Sequence, residues 1–224
     1  MIGSPVRAIA FDFDYTLADS SRGVVECINF ALARLGLQTV PIEKARETIG
    51  LSLSDTLVYL AGERTSAQRE EFVRLFVRRA DEVMVDQTML LESVPQTIAA
   101  LKEQALALGI VSTKFRHRIE AILRREGLLD SFDAIVGGED VLNHKPDPEG
   151  LRLAMKRLGR SPLDCVYVGD SVVDAETAER AGVRFAAVLS GVTPREAFDM
   201  YDVCGVLECV CDLHGWLGHS RSLE

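Results

Sequence analysis

Arg7-Ala8-Ile9-Ala10-Phe11-Asp12-Phe13-Asp14-Tyr15-Thr16-Leu17 is the stretch from which the fold is read. Ala8 to Phe13 has the length and apolar character of a buried strand, and it carries two carboxylates, Asp12 and Asp14, to its carboxyl end. In open α/β sheets that edge is where ligands bind. Carboxylates beside a hydrophobic core must be paired, hydrogen-bonded or placed on a metal, so the pair calls for a ligand.

Working outward, apolar runs of strand length recur at Leu108 to Ser112, Ala134 to Gly137, Cys165 to Gly169 and Phe185 to Leu189. Helical patterns lie between them, at Val94 to Ala107, His117 to Glu126, Glu149 to Leu158 and Val172 to Ala181. Such alternation predicts an α/β fold, a mostly parallel sheet covered by helices. Asp147 is placed to cap the helix that Pro148 begins. One interval, about Gly23 to Thr88, shows no strand; Phe72, Phe76, Ala80 and Val83 or Met84 recur there on one face of a long helix. This helical insertion leaves and returns near the edge where ligands bind. That suits a lid; the alternative is a packing subdomain with no gating role.

The 224 residues, 47% hydrophobic and 26% charged, suffice for a full core with a smaller attached unit. A net charge of -9 argues against nucleic acid or an anionic membrane surface as the main partner, because both select basic patches. No apolar run reaches membrane-spanning length, and Met1 to Arg7 lacks the pattern of a secretory signal, so the expectation is a cytoplasmic protein. Five cysteines, an odd and scattered set, suit a reducing compartment. Cys204, Cys209 and Cys211 crowd near His214 but fit no standard zinc spacing; Val203, Val206, Leu207 and Val210 alternate with them as in a packed strand and turn. The expectation is core cysteines.

Three polar clusters follow later strands. Ser112, Thr113 and Lys114 offer hydroxyls and amides at a helix start, able to hold phosphate oxygens or simply to cap the helix. Lys145 sits in Asn143-His144-Lys145-Pro146-Asp147-Pro148, a segment stiffened by its prolines. Asp170, after Cys165 to Gly169, lies where Asp12 lies, so adjacent strands would bring both carboxylates onto one cation. Ser171 to Asp174 has capping-box spacing, and Asp174 is read as helix cap, as support for the metal, or as both.

Together these parts answer the problem of phosphate-ester hydrolysis. A carboxylate nucleophile divides it into two displacements. Charge is neutralised by Mg²⁺ on a few carboxylates, and a second group moves the protons.

The chain is identified by these four motifs, in order from Ala8 to about Thr193, as resembling the haloacid dehalogenase superfamily, in its phosphoglycolate phosphatase-like and β-phosphoglucomutase-like branch with a helical cap. The resemblance implies a Rossmann-like α/β core over residues 1–20 and 89–224 and an inserted α-helical cap over residues 21–88. It implies that Asp12 is nucleophile and Mg²⁺ ligand, and that Asp14 is general acid/base and lends its backbone carbonyl to the metal. Thr16 braces that loop, Ser112 binds the transferring phosphoryl group with Thr113 and Lys114 beside it, and Lys145 neutralises nucleophile and phosphate. Asp170 matches the metal-binding carboxylate and Asp174 its supporting acid. In the cap, Gly50, Leu51 and Ser52 match the loop that reaches into the site and helps set specificity. The implied partner is a small phosphorylated metabolite, with oligomeric state left open.

Tyr15 departs from the glycine usual in relatives and is expected to narrow the entrance, and Thr113 replaces a frequent asparagine. The presence of Asp14 argues against dehalogenase and phosphonate-cleaving relatives, which lack that aspartate. A phosphomutase or an inorganic pyrophosphatase would keep the same residues. From another class, a receiver-like phospho-switch or an inactive binding module would gather similar groups; chain length and the intact set oppose these.

Overall fold

The computed structural model describes residues 5–221. These fall into two compact units: residues up to Ala18 together with those from Leu90 onward, and Asp19–Met89 between them.

The first unit is built on β1 (Ala8–Phe11), β4 (Ala107–Val111), β5 (Ala134–Val136), β6 (Cys165–Gly169), β7 (Arg184–Val188) and β8 (Val203–Leu207). They form one sheet in the order β5-β4-β1-β6-β7-β8, and every pairing is parallel. Every residue of β1, β6 and the carboxyl-terminal four of β4 is buried, as expected of strands covered on both faces. The chain runs from β1 to β4 and β5 on one side and returns to β6, β7 and β8 on the other. The order therefore reverses between β1 and β6, and a crevice opens at their carboxyl ends. Register fixes what reaches it: Phe11 pairs with Ile110 and with Val168, which brings Asp12, Ser112 and Asp170 to nearly one level.

Helices α5 (Val94–Glu103), α6 (Arg116–Arg125), α7 (Glu149–Leu158), α8 (Val172–Ala181) and α9 (Leu213–Arg221) complete this unit. The α7 start is held by the Asp147 carboxylate, which accepts from the Glu149 amide at 2.9 Å, and its end by Gly159 at φ +62°. Between those stops, Leu151, Ala154 and Met155 are buried in the same cluster as Tyr167 and Phe185.

The second unit contains α1 (Ser21–Arg34), α2 (Ile42–Arg46), α3 (Leu53–Ala61) and α4 (Arg69–Val83); the two-residue strands β2 (Ala18–Asp19) and β3 (Met89–Leu90) pair where the chain leaves and returns. Its core sets Cys27, Ile28, Ala31 and Leu32 with Phe72, Leu75, Phe76, Ala80 and Met84, the helical spacing read from the sequence. Arg79 bonds both Glu26 and Glu82, and the Gln87 amide donates to Glu26. The Gln87 bond and then Arg79 hold the Glu26 carboxyl below its ordinary value. A depressed carboxyl stabilises the fold above the unfolded pKa and loses that contribution as pH falls through the folded one. Glu26→Gln is therefore expected to destabilise by about 1 kcal/mol near neutrality, with the gap to wild type closing in acid. Thermal unfolding across pH reads this; a gap that widens below pH 4 contradicts it.

Two expectations are corrected. Cys27 and Cys165 are buried, but Cys209 and Cys211 are not core residues: they are half-buried and exposed and are joined in a disulfide. Val210 between them takes the fully buried position, which turns its neighbours outward. The α5 helix stops at Glu103 rather than Ala107, because Ala105 turns the chain at φ +56° into β4. Among the described residues no helix is long and apolar enough to cross a membrane.

Candidate active site

The carboxylates of Asp12, Asp170 and Asp174 meet at the crevice between β1 and β6, each offering an oxygen within 4.8 Å of the others. All three are buried. Asp12 continues the ladder, its amide donating to the Val168 carbonyl at 2.8 Å. Thr16, in the turn after it, donates its hydroxyl to Asp170 Oδ1 at 3.2 Å. Asp174 divides its oxygens. Oδ2 closes the capping box at the α8 start, accepting from the Ser171 amide, while Oδ1 faces Lys145 and Tyr167. Cap and membership of the acidic cluster thus coexist in one side chain.

Lys145 reaches this cluster from the loop that Pro146 and Pro148 stiffen, with Nζ 2.8 Å from Asp12 Oδ1 and 2.6 Å from Asp174 Oδ1. Burial works against its charge, yet the fields of Asp12 and Asp174 outweigh it and hold the ammonium pKa well above the ordinary lysine value. One ammonium between two carboxylates does not repay their desolvation: burial, with Asp174 and Asp14 nearby, pushes Asp12 up to about 7 against the pull of Lys145. Asp170 is raised well above the ordinary range by burial and then by Asp174 and Asp12. A cluster of hard oxygen donors short of positive charge is the donor set that a small divalent cation such as Mg²⁺ fits.

Asp14 faces a second lysine. Lys114 Nζ lies 3.2 Å from Asp14 Oδ1, and both side chains are buried, at 4% and 9% exposure. The Lys114 amide donates to the Ser112 hydroxyl at 3.2 Å, and the Ser112 amide to the Val136 carbonyl at 3.0 Å, so Ser112 and Lys114 share one tight turn. No side-chain hydrogen bond caps α6, which begins at Arg116 with Phe115 before it. Thr113 is half-buried, and among the described residues it hydrogen-bonds to none of the carboxylates. Gly50, Leu51 and Ser52 lie in the other unit; Gly50 turns the chain at φ +97°, and the Ser52 hydroxyl caps α3 by accepting from the Asp55 amide.

Tyr15 adopts φ +62°, a left-handed conformation that costs a side-chain-bearing residue roughly 1 kcal/mol. Ser190 pins it by donating to its carbonyl at 2.5 Å, and the Tyr15 amide donates to Ala18 at 2.6 Å. The ring is buried.

Two residues of this neighbourhood were not picked out from sequence. The Tyr167 hydroxyl donates to Asp174 Oδ1 at 2.8 Å, lies 3.2 Å from the Val111 carbonyl and accepts from Lys145 at 3.3 Å. A lone tyrosine inside the aliphatic run Cys165 to Gly169 is a signal, because a buried hydroxyl needs a partner. Gly191, just past β7, approaches Asp170 so closely that a Cβ there would overlap the carboxylate. Nothing in its flanking residues signals this. Gly191→Ala is expected to displace Asp170 and weaken Mg²⁺ binding at least about tenfold, a loss typical of disturbing groups that orient metal ligands. Calorimetric titration with Mg²⁺ reads it, and wild-type affinity in the variant would contradict it.

A parallel α/β core with an acidic, lysine-bearing site at its strand ends suits phosphoryl chemistry, and comparison with known proteins narrows the class. Residues 9–188 match the family model of the haloacid dehalogenase-like hydrolases. The phosphoglycolate phosphatase of Escherichia coli (strain K12) is 31% identical over 242 residues, covering 98% of this chain and 96% of its own. A solved haloacid dehalogenase-like hydrolase from Bacteroides fragilis is 42% identical, with a TM-score of 0.89 over 93% of this chain and 99% of that one. A solved protein from Clostridium acetobutylicum described as a predicted phosphatase, 19% identical, shares the fold with a TM-score of 0.88 over 96% of this chain and 100% of that one. The chain belongs to the haloacid dehalogenase-like hydrolase family. Within it, the chain is a phosphatase, a phosphoric monoester hydrolase similar to the phosphoglycolate phosphatases.

Proposed function

We propose that the protein is a Mg²⁺-dependent phosphatase of a small phosphorylated metabolite, of phosphoglycolate or sugar-phosphate type, acting through an aspartyl phosphate on Asp12. The observation that carries this reading is the buried Asp12–Lys145–Asp174 contact beside Asp170, at the end of the central strand. Asp12, Asp170 and Asp174, with the Asp14 backbone carbonyl, would hold the ion, which when bound neutralises charge on the phosphoryl group.

In the first displacement the Asp12 carboxylate attacks phosphorus and the bond to the leaving oxygen breaks. Asp14 gives that oxygen its proton. In the second, Asp14 takes a proton from water, the water oxygen bonds to phosphorus, the bond to Asp12 breaks and phosphate leaves. The Ser112 hydroxyl, the Thr113 amide and the two lysines, Lys114 and Lys145, orient and neutralise the bound ester, while Thr16 braces the loop through Asp170. Gly50, Leu51 and Ser52 serve specificity: Leu51→Ala is expected to change substrate preference more than Mg²⁺ affinity, and equal changes in both would contradict that role.

A panel of phosphorylated metabolites with Mg²⁺, scored for free phosphate and for isomerised sugar phosphate, tests the reading. Phosphate release from a small monoester is expected. Isomerisation without release would make the protein a mutase, release from pyrophosphate alone a pyrophosphatase, and no reaction at all would overturn the reading.

A further inference from the structure

Tyr167, the middle residue of β6, is fully buried in the same core cluster as Ala10, Val111, Met155 and Phe185. Packing there asks only for the ring; the hydroxyl costs stability unless it is hydrogen-bonded. Its bonds lead out of the core to three of the four polar clusters. It donates to Asp174 Oδ1 at 2.8 Å, accepts from Lys145 Nζ at 3.3 Å and lies 3.2 Å from the carbonyl of Val111, the residue before Ser112. Val111 ends β4, and β4 and β6 lie on opposite sides of β1, so one phenol ties together both flanks of the strand that leads into Asp12.

The Lys145 ammonium has three donors, and Asp12 at 2.8 Å, Asp174 at 2.6 Å and the Tyr167 hydroxyl take one each. Three contacts fix an ammonium, whereas two let it slide between its partners. Asp12 and Asp174 compete for this one, and Asp174 holds it at the shorter distance. By donating to the same Oδ1 that Lys145 touches, the phenol satisfies part of that oxygen's charge and weakens its hold on the lysine. Without the hydroxyl, Asp174 draws the ammonium away from Asp12. We propose that Tyr167 is a positioning residue for phosphoryl transfer, whose hydroxyl keeps the Lys145 ammonium shared with Asp12 and therefore beside the phosphoryl group that Asp12 attacks. This deepens the phosphatase reading and rests on its assignment of Lys145 to that group.

Tyr167→Phe removes the hydroxyl and keeps the ring. The test uses the full chain with Mg²⁺ and the monoester that wild type hydrolyses fastest. The variant is expected to lose at least about tenfold in kcat, because small misplacements of a positioned group are costly, while KM changes by less than about threefold. The decisive readout is the same substitution made in Lys145→Met protein, where it should change kcat by less than about twofold, since a residue that acts through Lys145 has nothing left to position. Equal slowing in both backgrounds overturns the assignment and makes Tyr167 a packing residue, as does a Tyr167→Phe enzyme within about twofold of the wild-type kcat. Position 167 carrying 4-aminophenylalanine keeps a weaker donor for Asp174 and runs the same cycle if Tyr167→Phe does not fold. A slowing absent from the Lys145→Met background is again expected, and one equal in both backgrounds overturns the proposal. These outcomes leave the phosphatase reading intact; a wild-type protein that releases phosphate from no monoester overturns both.

Discussion

Asp12→Asn protein is expected to fold and to release phosphate about 10⁶-fold more slowly than wild type, the scale of loss when a covalent enzyme is deprived of its nucleophile. The change is isosteric, and it removes one of three buried carboxylates crowded within 4.8 Å. Lys145 keeps Asp174 and the Tyr167 hydroxyl as partners. The group removed is one that burial already pushes up to about 7, so its loss relieves the metal-free fold. Activity and stability therefore move in opposite directions, the trade-off expected where a site stores unfavourable charge for function. Acid quenching during turnover of a radiolabelled ester should place label on the peptide carrying Asp12 in wild type and on none in the variant. An Asp12→Asn protein that turns over at a tenth of the wild-type rate would remove Asp12 from the role of nucleophile.

Lys145→Met is expected to have the opposite effect on stability. Methionine preserves length and apolar stem but deletes the ammonium between Asp12 and Asp174, at 2.8 and 2.6 Å. Breaking a buried pair from one side leaves uncompensated charge and costs about 3–5 kcal/mol. Added Mg²⁺ should return part of that loss, because a divalent ion binding the folded state adds to its stability and neutralises the same carboxylates. The rate should fall by at least about 10²–10³-fold, as when one preorganised donor is lost from a transition-state site. Unfolding in urea with and without Mg²⁺, alongside kcat, checks both parts. Unchanged stability in the metal-free variant would mean that the lysine is not compensating buried charge.

Where the chain announces its own stops, the sequence reading and the structure coincide. The expected spans of α7 and α8 match the structure, because each helix closes on a glycine in the left-handed region, Gly159 and Gly182; Ser171 caps α8, while α7 starts one residue past Pro148, which takes the N-cap position, with Asp147 accepting from the Glu149 amide. The α5 end was overrun because Lys102 to Ala107 contains no glycine or proline, and tertiary demand puts Ala105 at φ +56° at a cost of roughly 1 kcal/mol. The Asp12, Lys145, Asp170 and Asp174 grouping was legible because parallel register carries strand ends to one edge, whatever the loops do. Lys114 was legible as a neighbour of Ser112 but not as the partner of Asp14, since its direction depends on a four-residue turn before α6. Gly191 and the turn that presents Cys209 and Cys211 are likewise set by contacts or burial that no local pattern encodes.

The central claim is that Asp12 divides one difficult displacement at phosphorus into two. Each in-line displacement inverts configuration, so two restore it. Hydrolysis, with Mg²⁺, of a phosphorothioate monoester made chiral at phosphorus by sulfur and two oxygen isotopes, in water enriched in the third isotope, reads the outcome directly. Retention of configuration in the released thiophosphate is the predicted result, and inversion, the mark of direct attack by water, would contradict the account.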